Sequence, residues 1–166
     1  YVRRADGLSL EAQIHGGGHE MGMRSGTLPT HQIVGLSAAA RLMHSHMAEE
    51  TTRIQGLRHR FASHLAQMPD VSLTSNDEVC IPQIVNVAFG GVDGETLLLA
   101  LSELAISTGS ACNSTSVEPS HVLTGIGLST SMAQGSLRFS FGRYTTVAEI
   151  DQAALHLSQV LGRLRQ

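Results

Sequence analysis

The sequence predicts an α/β fold, in which a small mixed and mainly antiparallel sheet with helices follows one long linking helix. Three patterns support this prediction. Apolar residues recur every three or four positions from residue 31 to 68, the spacing of one helix face. Apolar and polar residues alternate over 136–142, as in a strand with one buried face. The capping box of Thr146 and Glu149 then opens a last helix with the same three-and-four spacing.

Shorter patterns predict the elements between and before these three. Strands are expected over 71–74 and 83–89, and a brief strand over 105–107. The leucines between 97 and 104 predict a short buried helix, and Pro119 is expected to open another. Weak alternation over 8–14 predicts an edge strand. Arg143 is expected to lie in a turn, without a role in a site.

Composition favours a soluble globular protein of about one domain. The chain has 166 residues, 42% of them hydrophobic, and a net charge of −3. That charge gives no reason to expect a nucleic-acid or membrane partner, and no apolar run is long enough to span a bilayer. Two cysteines, Cys80 and Cys112, fit a reducing compartment better than a disulfide scaffold. We therefore expect a cytoplasmic protein, and we assign Cys80 no role.

A glycine-rich segment precedes the long helix. Residues 16–29 read GGGHEMGMRSGTLP. Histidines at 15 and 19 with Glu20 raise the alternative of a metal site, but no third well-placed ligand follows. Glycine-rich backbone beside serine, threonine and arginine also suits an oxyanion or a phosphate. Both interpretations are weak on composition alone.

Two further residues have the character of functional side chains. Cys112 lies among small and hydroxyl residues, which predicts an exposed loop. A nucleophilic thiol needs such exposure. The alternative is an incidental cysteine in a linker. Arg138 is expected on the polar face of its strand, opposite Leu137 and Phe139. A fixed guanidinium suits a carboxylate through two parallel hydrogen bonds, whereas a surface salt bridge is the plain alternative.

Four segments together resemble the cysteine desulfurases of iron–sulfur cluster assembly. These are STGSACNS at 107–114, EPSHVL at 118–123, SLRFSFGR at 136–143 and the glycine-rich segment. The family consists of class-V aminotransferase-like enzymes that use pyridoxal 5′-phosphate (PLP) and take sulfur from L-cysteine. The resemblance runs through almost the whole chain, but it matches only the C-terminal part of the family's sequence.

The resemblance implies a fold, an activity and site residues. Residues 1–29 would be the remnant of the large PLP domain, and residues 30–166 would be the linking helix and small C-terminal domain of a fold-type I PLP enzyme. Thr27 would reach the PLP phosphate of the partner subunit in a homodimer, although Met21 stands where the family usually has arginine. Arg138 would hold the carboxylate of L-cysteine. Cys112 would carry a persulfide to an iron–sulfur scaffold protein and transiently contact iron through it.

The chain contains no lysine, and all eleven basic side chains are arginine. PLP enzymes hold their cofactor on a lysine, so this chain cannot hold PLP covalently. The chain also begins with YVRR. We therefore expect a fragment or a split or truncated gene product that needs the missing N-terminal part. Two alternatives remain open, namely a PLP-free persulfide carrier and an inactive remnant or dimerisation module.

The first prediction concerns the isolated chain. Mixed with PLP and L-cysteine, it should release sulfide and alanine no faster than PLP alone, because no lysine is present to bind the cofactor. Sulfide and alanine assays measure this directly. Turnover clearly above the rate of free PLP would contradict the prediction.

Overall fold

The computed structural model describes residues 2–3, 7, 10–75, 79–108 and 119–166 of the chain. Their contacts divide the chain into two compact units, Tyr1–His46 and Met47–Gln166. The division falls inside the long helix, whereas the sequence placed a domain boundary after residue 29. That domain boundary stays a prediction.

The unit Tyr1–His46 contains a glycine-rich loop and the first half of the long helix. A 3-10 turn, Glu20–Gly22, lies in the loop, and helix α1 runs from Thr30 to Leu65. The edge strand predicted over 8–14 is wrong for residues 10–14, which form a bend and irregular backbone, while residues 8 and 9 lie outside the described residues. Alternation this weak does not specify a strand when no neighbouring strand pairs with it.

The unit Met47–Gln166 contains a four-stranded antiparallel sheet with helices. Its further elements, in chain order, are β1 (Val71–Leu73), β2 (Ile84–Phe89), α2 (Gly94–Ala100), β3 (Ser107–Thr108), α3 (His121–Gly125), α4 (Thr130–Gln134), β4 (Ser136–Ser140) and α5 (Val147–Leu164). The strands are ordered β1–β2–β4–β3, and each pair is antiparallel. The predicted small, mainly antiparallel sheet is therefore confirmed.

Several element boundaries differ from the sequence predictions. Helix α2 ends at Ala100 and a turn follows, although the leucine pattern continues to Leu104. Helix α3 begins after Pro119, with Ser120 as its N-cap. The sequence analysis missed α4, a five-residue helix whose N-cap Ser129 accepts a hydrogen bond from the backbone N–H of Met132. Five residues are too few to show a helical period.

One hydrophobic core joins the sheet to α1, α2 and α5. Phe61 of α1 lies 5.0 Å from the ring of Phe139 and 5.6 Å from that of Phe141, measured between centroids. Leu157 of α5 is fully buried in the same cluster. The capping box predicted for α5 is present, because Thr146 accepts from the N–H of Glu149 while the Glu149 carboxylate accepts from the N–H of Thr146.

The apolar stripe of α1 is buried over only half of its length. Ile54, Leu57, Phe61 and Leu65 are part of the core. Towards the start of the helix the same stripe is exposed to solvent, and Leu36 is 74% exposed. The exposed members are Ile33, Leu36, Met43 and Met47. The periodicity thus predicted the helix correctly, but it did not tell which turns of the helix are covered.

A polar clasp joins α1 to α5 on the outside of the core. Arg60 of α1 donates two hydrogen bonds to the Asp151 carboxylate, at 2.6 and 2.8 Å, and His64 lies 2.9 Å from it. The hydrogen bonds from Arg60, and then the contact with His64, lower the pKa of Asp151 from 3.8 to about 2. The ionised form of Asp151 is therefore favoured in the folded state.

The second prediction follows from this lowered pKa. Because the folded state binds the Asp151 proton less tightly than the unfolded state, the clasp stabilises the fold fully above about pH 4. Its contribution is lost as the pH falls through about 2. Asp151→Asn should lower the free energy of unfolding by a constant amount above about pH 4, and the difference from wild type should shrink below it. Chemical denaturation at a series of pH values measures this.

Glu103→Gln is the matched control, since it removes the same charge from an exposed residue that has no ion pair with any described residue. It should not reproduce the pH dependence of Asp151→Asn. A difference between wild type and Asp151→Asn that stays constant down to pH 2 would contradict the prediction.

Candidate functional site

Arg138 lies in the middle of β4 with its side chain exposed. Its neighbours Leu137 and Phe139 are buried, so the strand presents Arg138 on the face opposite the core, as predicted. Ser136 shares the face of Arg138 but is buried beneath α4, where its hydroxyl donates to the carbonyl of Met132 at 2.7 Å.

Arg138 pairs with a residue on each side across the sheet. It lies opposite Asn86 of β2 and opposite Ser107 of β3. Thr74, the residue after β1, donates its hydroxyl hydrogen bond to Asn86 Oδ1 at 2.8 Å. The four side chains form a polar row across the sheet, which we call the Arg138 row. The sequence analysis missed Thr74, Asn86 and Ser107 as parts of a site.

The guanidinium of Arg138 makes no hydrogen bond or ion pair with any of the described residues. Arg53, Arg58 and Arg165, by contrast, bind backbone carbonyls within the Met47–Gln166 unit. The surface salt bridge considered as an alternative for Arg138 is therefore not found in the described part of the chain. What the structure presents is a cation on a fixed strand, open to an external anion.

The turn after β4 is held by α1. Arg53 donates to the carbonyls of Thr145, Gly142 and Arg143, at 2.8, 3.0 and 2.7 Å. Arg143 forms an ion pair with Glu50. Arg143 thus lies in a turn as predicted, and its contact with Glu50 is structural. These contacts fix the turn that follows the end of β4, which lies two residues after Arg138.

A cavity of about 730 Å³ lies in the same unit, but Arg138 does not line it. Its walls include Leu104, Ile106, Phe141 and Leu155. Phe141 is part of the hydrophobic core, Leu104 and Ile106 pack against it, and Leu155 lies on α5. Arg138, by contrast, lies on the opposite sheet face. We place the candidate site at the Arg138 row because Arg143, the arginine that lines the cavity, is paired with Glu50.

Thr27 lies in the Tyr1–His46 unit, at the end of the glycine-rich loop. Gly26 before it has a φ of +114°, and a Cβ there would lie 2.7 Å from Arg24 Nη1, so the loop needs glycine at this position. The Gly26 N–H donates to His19 Nδ1 at 3.3 Å. Thr27 itself is exposed, and its hydroxyl makes no hydrogen bond to the described residues. It is free to bind an external acceptor.

Cys112, the predicted nucleophile, lies outside the described residues, as does its predicted iron contact. The chain passes into that segment directly after β3 and returns at Pro119. Cys80 is half-buried as a free thiol. Over the described ranges, no three histidine, cysteine, aspartate or glutamate side chains cluster as metal ligands. No helix in those ranges is long and apolar enough to cross a membrane.

Residues 8–153 match the family described as aminotransferase class-V. The chain belongs to the class-V aminotransferase family. Among curated proteins, it is 48% identical over 166 residues to the cysteine desulfurase IscS of Azotobacter vinelandii and 50% identical over 165 residues to that of Escherichia coli O139:H28. The alignments cover 100% and 99% of this chain but only 41% of each relative. The chain thus spans about two fifths of the length of the relatives that it matches.

Solved structures of the same family share the fold. A NifS-like protein superimposes with a TM-score of 0.84 at 29% identity, covering 95% of this chain and 40% of that one. The NifS-like protein from Rickettsia africae gives 0.82 at 25% identity, covering 93% and 41%. SspA in complex with cysteine gives 0.55 at 33% identity, covering 88% and 40%. The predicted fold class and the family resemblance are both confirmed.

Proposed function

We propose that this class-V chain is the C-terminal part of a PLP-dependent cysteine desulfurase, which converts L-cysteine to L-alanine and a persulfide on Cys112. The near 50% identity to cysteine desulfurases over the whole chain carries the proposal. The complete enzyme would supply sulfur for iron–sulfur cluster assembly. Residues 1–29 would then belong to its large domain and residues 30–166 to its small domain.

The residues of this chain suit the phosphate group of PLP, but none of them can bind the cofactor covalently. The exposed Thr27 hydroxyl, without a partner among the described residues, suits a phosphate oxygen. No residue of this chain can hold the cofactor covalently, since it has no lysine. The lysine must come from the part of the enzyme that this chain does not contain. Once bound, PLP would act as an electron sink that weakens the carbon–sulfur bond of the substrate.

The exposed apolar stripe on α1 is a second feature that supports the proposed assembly with another domain or subunit. Ile33, Leu36, Met43 and Met47 present apolar side chains on one side of the helix. An exposed apolar stripe of this length is typical of a surface that another domain or subunit covers. We propose that the large domain, or a second subunit of a homodimer, covers it.

Arg138 would bind and orient the substrate. A guanidinium offers two parallel N–H donors to the two oxygens of a carboxylate. Its position on a central strand, with buried residues on both sides, restricts its movement. The carboxylate of L-cysteine would therefore be held in one orientation, which sets the direction of the substrate's sulfur.

Cys112 would accept the sulfur. Its thiolate attacks the substrate sulfur, so that a sulfur–sulfur bond forms as the carbon–sulfur bond breaks. The electron pair of the broken bond stays on the substrate's carbon framework, which takes up protons and leaves as L-alanine. The sulfane sulfur would pass to a scaffold protein, and it could bind iron of the nascent cluster during the transfer.

The third prediction tests Arg138 in the assembled enzyme, meaning this chain combined with a polypeptide that supplies the large domain and its lysine. Arg138→Lys should raise the KM for L-cysteine about tenfold, because lysine cannot make the planar double contact. Arg138→Ala should raise it about a hundredfold, with kcat much less affected. Steady-state kinetics measures both.

Arg163→Ala is the control for Arg138, because it removes an exposed arginine of α5. It should leave the KM unchanged. Wild-type kinetics in both Arg138 variants, with normal folding, would make Arg138 a structural residue.

The fourth prediction tests Thr27. Thr27→Ala should weaken PLP retention by the assembled enzyme about fivefold, or about 1 kcal/mol, the scale of one lost hydrogen bond. Thr27→Ser keeps the hydroxyl and should retain the cofactor as wild type does. Equilibrium dialysis of PLP gives both affinities. Equal retention by all three proteins would remove Thr27 from the cofactor site.

The fifth prediction tests Cys112. Cys112→Ser should abolish sulfur transfer in the assembled enzyme, because a hydroxyl cannot accept sulfane sulfur, while Cys80→Ser should leave it intact. Mass spectrometry after exposure to L-cysteine should find the sulfur adduct on Cys112. An adduct on Cys80 alone would refute the assignment. An adduct formed on the isolated chain from a persulfide donor, without desulfurase activity after assembly, would favour the persulfide carrier.

A further inference from the structure

The Arg138 row contains a second group that is suited to an anion. Asn86 and Arg138 are directly opposite in the antiparallel β2–β4 pair. Side chains at such positions leave the same face of the sheet with their Cβ atoms about 4.5–5.5 Å apart. An amide and a guanidinium at this separation can reach the two oxygens of one carboxylate together.

Thr74 fixes which end of the Asn86 amide is available. The Thr74 hydroxyl lies 2.8 Å from Asn86 Oδ1, to which it donates, and 3.2 Å from the Asn86 carbonyl oxygen. The Thr74 backbone N–H donates to the same carbonyl at 3.1 Å. The oxygen end of the amide is thus occupied, and the NH₂ end keeps two donors. None of the described residues accepts from this NH₂, although Asn86 is half-buried.

The described strand positions of this sheet face include no acidic residue that would compete for the donors. Alternation and register assign eight strand positions to it: Ser72, Ile84, Asn86, Ala88, Ser107, Ser136, Arg138 and Ser140. Arg138 is the one charged residue among these eight. Asn86 Nδ2 is not among the buried unpaired atoms, so this donor is open to solvent, and a face with open donors and a single cation suits an external anion.

We propose that Asn86 is a second binding residue for the substrate carboxylate, beside Arg138, and that Thr74 is the residue that positions it. The inference deepens the proposed function and rests on it for the identity of the substrate. A carboxylate accepts about four hydrogen bonds, of which the Arg138 fork takes two. The Asn86 NH₂ supplies a third, and the row thereby selects amino acids with a free carboxylate over simple thiols.

The test measures binding and turnover separately in the assembled enzyme. Calorimetry gives the Kd of L-alanine, the product, which carries the same carboxylate as the substrate. Asn86→Ala should weaken this binding about tenfold and raise the KM for L-cysteine by the same factor, with kcat within about twofold. Asn86→Asp should weaken binding more, because its carboxylate would pair with Arg138 and repel the ligand.

Variants of Thr74 separate positioning from mere stability. Thr74→Val keeps the shape but removes the hydroxyl, and it should weaken L-alanine binding several-fold at an unchanged kcat. Thr74→Ser should restore the wild-type Kd. Ser140→Ala is the control, since it changes the same sheet face outside the Arg138 row. It should leave both Kd and KM unchanged.

Cysteamine, which is cysteine without its carboxylate, gives an independent readout. Its inhibition constant should be the same in wild type and Asn86→Ala, because the lost contact is to the carboxylate. A wild-type Kd for L-alanine in Asn86→Ala, or no binding of L-alanine by the wild-type protein, would overturn the inference. Carboxylate binding that depends on Asn86 in an assembly that forms no persulfide would support the inference while refuting the proposed function.

Discussion

The pairing of β2 with β4 is the interaction on which the rest of the Met47–Gln166 unit depends. It places Val85 opposite Phe139 and Val87 opposite Leu137, and all four are buried. α1 and α5 pack on this apolar surface, with Phe61 against Phe139. Because successive residues of a strand point to opposite faces, the same register that builds the core also sets Asn86 beside Arg138.

Four arginines of this unit show two different uses of the same side chain. Arg53, Arg58 and Arg165 each bind several carbonyls of loops and strand ends, and their five donors let one side chain hold a whole turn. These contacts tie the ends of the chain's elements to the sheet. Arg138 has no such partner among the described residues and lies on the open face. The same side-chain type therefore stabilises the fold at three positions and remains available for a ligand at the fourth.

Most of the fold was predictable because its long elements carry strong local signals. The periodicity of α1, the alternation of β4 and the capping box of α5 each follow from residues near one another in the chain. The edge strand predicted over 8–14, which is wrong for residues 10–14, and the missed helix α4 are short segments, for which the sequence pattern is weak and the tertiary context decides. The burial of only part of the α1 stripe depends on what lies against each turn, which periodicity does not contain.

For the site, the sequence by itself determined which reactive side chains exist, that no lysine is among them, and that Arg138 belongs to the polar side of a strand. Local alternation fixes the face of a residue, and the family motifs are the basis for the proposed chemistry. The tertiary structure decided which residues share that face with Arg138. Asn86 is 52 positions away in the chain and Ser107 is 31 positions away, and only strand register makes them neighbours. Register is set by the burial of apolar residues on the opposite face, a non-local constraint that no single segment of the sequence expresses.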